Sequence, residues 1–133
     1  MSEEKKIKVV LLEPFKLARA VEIDASLKSM QKIVGGLIEP FYPFEEEVCI
    51  VCNDEGKING MPLNRAVYGE DKKMIDIIAG PAFICDCRGE SFDSLSDEQI
   101  ARYKKQFRYP EIFLRDGDEI KAFFVKPDRE NER

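Results

Sequence analysis

The sequence predicts a single α+β domain over residues 1–126, with a mostly antiparallel sheet of about five to six strands and two helices on one face. Its length of 133 residues suits one domain. A composition of 44% hydrophobic and 35% charged residues supports a folded core. Strand-type and helix-type apolar patterns follow one another in the order ββαβ(β)…ββαβ. Residues 127–133, PDRENER, are predicted to form a solvated C-terminal tail.

The first third of the chain predicts a hairpin, a helix and an edge strand. Residues 6–13 and 19–24 have strand patterns and a short link, which favours a hairpin. Residues 25–36 place their apolar side chains on one helical face, and a glycine pair ends the helix. The segment 37–44, LIEPFYPF, contains two prolines and is predicted to be an edge strand or an irregular extended segment.

The rest of the chain predicts further strands around a polar loop and a second helix. The residues 57–73 are predicted to form a long polar loop, since asparagine, glycine and proline recur there. A second helix begins at Ser96, because Ser-Asp-Glu-Gln forms a capping box. The pair Gly80-Pro81 either separates two strands or breaks one. The remaining predicted strands are 48–52, 73–80, 82–87 and 119–126.

Composition narrows the function classes. A net charge of −5 argues against a nucleic-acid partner, which calls for a basic surface. No apolar run reaches the roughly 20 residues of a membrane span, and the N-terminus lacks a signal-peptide pattern, so we expect a cytoplasmic protein without a membrane partner. The chain has no histidine, which removes Ser-His-Asp and Cys-His catalysis. We therefore expect no enzyme.

The four cysteines lie in the motifs CIVC, 49–52, and CDC, 85–87. Such pairs occur in zinc sites and redox sites. A strand over 48–52 sends Cys49 and Cys52 to opposite faces, because side chains alternate along a strand. Cys85 and Cys87 share one face. We therefore predict buried, reduced thiols, with zinc and redox chemistry as alternatives, and we expect no bound metal and no cofactor.

The polar loop supplies most of the candidate ligand- or partner-binding residues. Arginine offers a planar fork that binds carboxylate or phosphate, and asparagine can bind an amide or a base edge. The alternative is structural: Arg65 and Asn64 form hydrogen bonds with carbonyls of the loop. Asp76 is either on the outward face of a strand or paired with a cation such as Arg65. The candidate residues are Asn53, Asn59, Asn64, Arg65, Tyr68 and Asp76.

Three aromatic residues, Phe41, Tyr42 and Phe44, form a second candidate, a partner surface. Aromatic side chains held between prolines lose little entropy when they bind. The alternative is that they fill the core. An exposed edge at Leu37–Phe44 also suggests a homodimer.

Segments 29–41, 52–69 and 74–84 together resemble a bacterial and phage family of unknown function, number 3846. The resemblance extends over about residues 7–107, with 91–107 also fitting, and the chain after 107 departs from it. It implies a small accessory protein of phages, plasmids or other mobile elements, and it carries no catalytic residues. Its positions within the central segment are Asn53, Gly56, Gly60, Pro62, Asn64, Arg65 and Ala66.

Three functional hypotheses follow. The first is a non-catalytic accessory protein of a phage or mobile element that binds a host protein or complex, including an anti-defence role. The second is a small-ligand protein, a nucleotide binder or sponge, that uses the 57–73 loop. The third is a metal-dependent enzyme with Asp76 and nearby turn acids around a divalent cation.

Overall fold

The computed structural model describes residues 5–126, which form a single α+β domain with a mostly antiparallel sheet, as predicted. The predicted tail, 127–133, lies outside the described residues. Neither helix within residues 5–126 is long and apolar enough to cross a membrane. In chain order the elements are β1 Lys6–Leu12, β2 Arg19–Asp24, α1 Leu27–Val34, β3 Ile38–Phe41, β4 Val48–Asn53, β5 Leu63–Tyr68, β6 Met74–Ala79, β7 Ala82–Asp86, α2 Asp97–Gln106, β8 Glu111–Asp116 and β9 Glu119–Phe124.

Five strands form the main sheet in the order β2-β1-β7-β4-β3, and every neighbouring pair is antiparallel. The prediction of β3 as an edge strand is confirmed, and its Pro40 lies where a missing backbone donor is tolerated. The strands β4 and β7 lie in the interior of the sheet and are almost wholly buried. Their continuous apolar sequences suit strands that are covered on both faces.

The two helices cover opposite faces of this sheet, so the prediction that they share one face is wrong. Along β4, Ile50 belongs to one core cluster, whereas its neighbours Cys49 and Val51 belong to the other. The helix α1 packs on the second cluster, while α2 and the β5–β6 pair pack on the first. The reason is physical: strands with apolar residues on both faces need a covering layer on each side.

The predicted polar loop 57–73 is wrong in its middle, because residues 63–68 form β5. This strand pairs with β6, and its Ala66 and Val67 are buried. The burial of these two apolar side chains favours a strand there, although polar residues lie on both sides of them in the sequence. The chain is irregular only before and after the strand, and Gly80-Pro81 separates two strands that belong to different sheets.

Both helices begin at a serine cap, and the cap of α2 is the predicted capping box. The Ser26 hydroxyl accepts a hydrogen bond from the Ser29 N–H at 3.1 Å, and Gly35 ends α1 in the left-handed conformation, with φ of 82°. At α2 the capping box between Ser96 and Gln99 is present in both directions.

A two-stranded ribbon, β8 and β9, follows α2. Its strands are joined by a two-residue turn in which Gly117 has a φ of 65°. A glycine at the first central position allows such a turn to adopt the same backbone twist as the strands that it joins. Glu111, near its base, is buried, and its carboxylate accepts a hydrogen bond from the Ala66 N–H of β5 at 3.0 Å. Most of the other ribbon residues are exposed or half-buried.

Candidate functional site

Arg65, the leading candidate from the sequence, is completely buried. Its Nε donates to the Phe107 carbonyl at 3.0 Å, and its Nη2 donates to the Lys16 carbonyl at 2.8 Å. Its Nη1 donates to the Asn64 Oδ1 at 2.9 Å and to the Glu13 carbonyl at 3.3 Å. The guanidinium therefore joins β5 to the loop after β1 and to the end of α2.

The surroundings of Arg65 offset the cost of burying its charge. Burial lowers the pKa of Arg65 to about 10, and the nearby Glu111 carboxylate acts in the opposite direction. The Phe107 carbonyl lies at the C-terminal end of α2, where the helix dipole favours a cation. Asn64 is also fully buried, and its Nδ2 donates to the carbonyls of Leu12 and Gly80, both at 2.9 Å. Neither side chain faces solvent. Both are structural, as the alternative predicts, but most of their acceptors lie outside the 57–73 segment.

Asn53, at the end of β4, fixes the turn that follows it. Its Nδ2 donates to the Val34 carbonyl of α1 at 3.1 Å, and its Oδ1 accepts from the Glu55 N–H at 2.7 Å. Within this turn Gly56 lies against β6, since a Cβ there would lie 2.6 Å from the Ala79 carbonyl oxygen. A side chain at this position would push the turn away from β6. The turn is therefore held between α1 and β6.

These contacts create a cavity of about 330 Å³, which we call the β3–β6 groove. Its walls are β3, the end of β4 with the following turn, and β6. A volume in this range is typical of a binding site. It brings together three of the predicted site residues, Phe41, Asn53 and Asp76. The groove is lined by residues 39–41, 52–58 and 76–79.

The β3–β6 groove carries mostly negative charge. The Lys57 ammonium forms an ion pair with the Asp76 carboxylate, whose Oδ1 also accepts from the Ile77 N–H at 2.8 Å. The alternative that Asp76 pairs with a cation therefore holds, but the cation is Lys57. Arg65, the cation suggested as an example, is bonded in the interior. Among residues 5–126, Lys57 is the one basic residue that lines the groove, whereas the acidic ones are Glu39, Asp54, Glu55 and Asp76.

Tyr68 lies in a different place, a shallow cavity of about 460 Å³ beside α2. The centre of that cavity is Glu46, whose carboxylate accepts from the Tyr103 hydroxyl, from Arg102 and from Gln99 Nε2, the last at 3.0 Å. The hydrogen bond from Tyr103 is the main cause that lowers the pKa of Glu46 to about 2. The structure therefore separates Tyr68 from Arg65, although both belong to β5.

The three predicted surface aromatics do not form one patch. Phe41 and Phe44 are half-buried against the core, and the Phe44 ring centroid lies 4.7 Å from that of Tyr103. Tyr42 is 61% exposed. Asn59 is exposed in the turn and does not line the β3–β6 groove.

The cysteines lie as the alternation of strand side chains predicts. Cys49 and Cys85 are fully buried opposite one another, with their sulfur atoms 3.9 Å apart, and Cys52 packs on the other face. The hydrogen bond between Cys49 and Cys85, together with burial, raises the pKa of Cys85. Within residues 5–126 no group of three or more histidine, cysteine, aspartate or glutamate side chains is placed to hold a metal ion.

Sequence reasoning missed Lys57 and Glu46, which shape the two cavities. The partners of each are distant in sequence: Asp76 is 19 residues from Lys57, and Tyr103 is 57 residues from Glu46. Glu46 is the middle of three consecutive glutamates, and nothing in that run distinguishes it. Only the tertiary structure brings these groups together.

Comparison with known proteins gives one family. A model described as a domain of unknown function, DUF3846, matches residues 7–108. No curated protein and no solved structure matches the chain. The matched residues contain all the walls of the β3–β6 groove and end before the ribbon.

Proposed function

This chain belongs to the DUF3846 family, and we propose that it is a non-catalytic binding protein whose β3–β6 groove holds a positively charged segment of another protein. The observation that carries the proposal is the charge of the groove, four carboxylates against one ammonium. Such a lining attracts lysine or arginine side chains and repels phosphate, so it favours a protein partner over a nucleotide-type ligand.

The ion pair within the groove can be exchanged. Lys57 and Asp76 have side chains that are 57% and 39% exposed, and exposed pairs of this kind contribute about 0–1 kcal/mol. An incoming cation can therefore replace Lys57 at Asp76 at little cost. The carboxylates of the groove are in place before the segment binds, so binding requires no large conformational change.

The backbone beside the groove suits an extended segment. The strand β3 is the last strand of the main sheet, and among the strands within residues 5–126, β6 pairs only with β5. Each strand therefore has an unpaired edge. The edge of β6 can pair with an added strand through main-chain hydrogen bonds, whereas Pro40 removes one donor from the edge of β3. A basic segment in extended form is the occupant that uses both the edges and the charge.

The wider role follows from the family resemblance. We propose that the partner is a host protein or complex, and that the chain acts on it as an accessory protein of a phage or other mobile element, in the cytoplasm and with an anti-defence effect. The basic segment of the groove then belongs to that host protein.

Binding of short extended peptides rich in lysine or arginine, measured by fluorescence anisotropy, tests the groove. We expect such peptides to bind, their acidic counterparts to fail, and added salt to weaken the binding. The double variant Asp54→Asn/Glu55→Gln removes two exposed groove charges and should abolish most of the affinity. Glu22→Gln/Glu90→Gln removes two exposed charges outside the groove and serves as the matched control.

Equal affinity of the two double variants would show that only the net charge matters, and the groove would lose its role. A rise in melting temperature with nucleotides that the groove variant removes would favour the small-ligand hypothesis instead. Capture from host lysate with both variants then identifies the partner.

A further inference from the structure

The strand β9 forms an open edge at the end of the chain that the structure describes. It pairs with β8 and with no other strand in residues 5–126. The ribbon that it belongs to begins after residue 108, beyond the part that matches the family. A ribbon of two strands is marginally stable by itself in water, so an additional strand beside β9 would stabilise it.

The backbone of β9 presents alternate residues to this edge. Asp116 and Glu119 close a two-residue turn, and the closing pair of such a turn exchanges both of its hydrogen bonds. Val125 continues this inward series, since its N–H donates to the Pro110 carbonyl at 2.8 Å. The N–H and C=O groups of the alternate residues, Ile120, Ala122 and Phe124, therefore point to the open edge.

Several apolar side chains beside this edge are exposed, and they occur on both faces of the ribbon. Ile120 and Phe124 share one face and are 40% and 63% exposed; Phe123 and Val125 share the other and are 46% and 41% exposed. Monomeric proteins seldom leave several neighbouring apolar side chains open in this way. An occupant that pairs with the edge would cover both faces at once.

We propose that β9 pairs in an antiparallel arrangement with β9 of a second copy of this chain, around a two-fold axis at Ala122. The two ribbons then form one four-stranded sheet. The outward N–H of each Ala122 donates to the Ala122 carbonyl of the other copy. Ile120 of each copy lies opposite Phe124 of the other. The interface is closed and isologous, so it produces a dimer and no filament.

Charge favours a second copy over a strongly charged partner. The segment 115–126, which contains the turn and β9, carries three acidic and three basic residues, so two copies do not repel one another along β9. The residues that follow in the sequence, PDRENER, contain no large apolar side chain that could cover Phe123 or Phe124. The alternative homodimer through Leu37–Phe44 is less suitable, because Pro40 removes a donor from that short edge.

The oligomeric state in solution tests this interface. Sedimentation equilibrium across roughly 5–500 μM, the range of weak association, should give a mass that rises from 15.3 kDa towards twice that value. Ala122→Pro removes an outward N–H and leaves the β8–β9 hydrogen bonds in place, so the dimer should be lost without a change in the thermal midpoint of the domain. Phe124→Lys should also prevent association through charge at the interface.

A cysteine variant tests the register without disturbing the strand. With a short bifunctional thiol cross-linker, Ala122→Cys should form a covalent dimer, because the two-fold axis brings its own β-carbons within about 5.5 Å. Ala20→Cys, on the exposed edge strand β2, should stay monomeric and controls for the four native cysteines. A monomeric wild type at the highest concentration would overturn the proposal, and so would a dimer that persists unchanged in Ala122→Pro. Neither result bears on peptide binding in the β3–β6 groove.

Discussion

Replacement of Arg65 by methionine should destabilise the domain severely. The substitution removes charge-assisted hydrogen bonds from all three guanidinium nitrogens and leaves the carbonyls of Glu13, Lys16 and Phe107 without this donor. Each such bond contributes about 1.5–3 kcal/mol, although the lost desolvation cost of the cation offsets part of the sum. We expect a loss of about 3–5 kcal/mol in the free energy of unfolding, the amount usual for a broken buried charge network.

The lysine variant separates charge from shape. Arg65→Lys keeps the positive charge, but one ammonium cannot reach acceptors on β5, on the loop after β1 and at the end of α2 together. We expect an intermediate loss of about 2–3 kcal/mol.

Urea unfolding, followed by circular dichroism, measures both changes, and Arg115→Met, at an exposed arginine, should cost less than about 0.5 kcal/mol. A loss below about 1 kcal/mol for Arg65→Met would refute the reasoning. Arg65 would then again be a candidate binding residue, because a ligand-binding arginine can be removed while the fold stays intact.

Three further predictions concern the two cavities. Gly56→Ala should cost about 1–3 kcal/mol, because its Cβ would lie 2.6 Å from the Ala79 carbonyl oxygen, whereas Gly89→Ala, which has open space, should be neutral in the same unfolding assay. Glu46→Gln should cost about 1 kcal/mol at neutral pH. Because folding lowers the pKa of Glu46 from 4.5 to about 2, its contribution is complete above pH 4.5 and is lost as pH falls towards 2, so the two proteins should converge in acid unfolding. Lys57→Met should change stability by less than about 1 kcal/mol and should strengthen the binding of basic peptides by the groove, which anisotropy would measure.

Much of the fold is predictable from local pattern. Caps, glycine stops and alternation depend on residues close in sequence, so the ends of α1 and α2 and the opposite orientations of Cys49 and Cys52 follow directly. The face of the sheet that each helix covers does not follow from local pattern. Whether α1 and α2 lie on one side is decided by the crossing of the chain from β2 to β3 and from β7 to β8, and no local pattern records that.

The site was less predictable, for a reason that Arg65 illustrates. A polar residue among glycines and prolines is equally suited to bind a ligand and to bind the backbone, because the donors are the same. The apolar neighbours Ala66 and Val67 indicate a strand, but the three backbone carbonyls that Arg65 binds on other elements are 42–52 residues away in sequence. Sequence patterns identify the residue types and leave their partners open.

The buried positions of Asn53, Gly56 and Arg65 change what the family resemblance implies. These residues do not face solvent as a recognition surface; they hold the turn after β4 and the strand pair β5–β6 against the main sheet. The groove is the consequence of that arrangement, and its exposed charges are carried by other residues, such as Asp54 and Glu55. The exposed charges of the lining can therefore change sign without any cost to the interior. In the proposed function these exposed charges, and not the buried residues, select the segment that the groove of this chain binds.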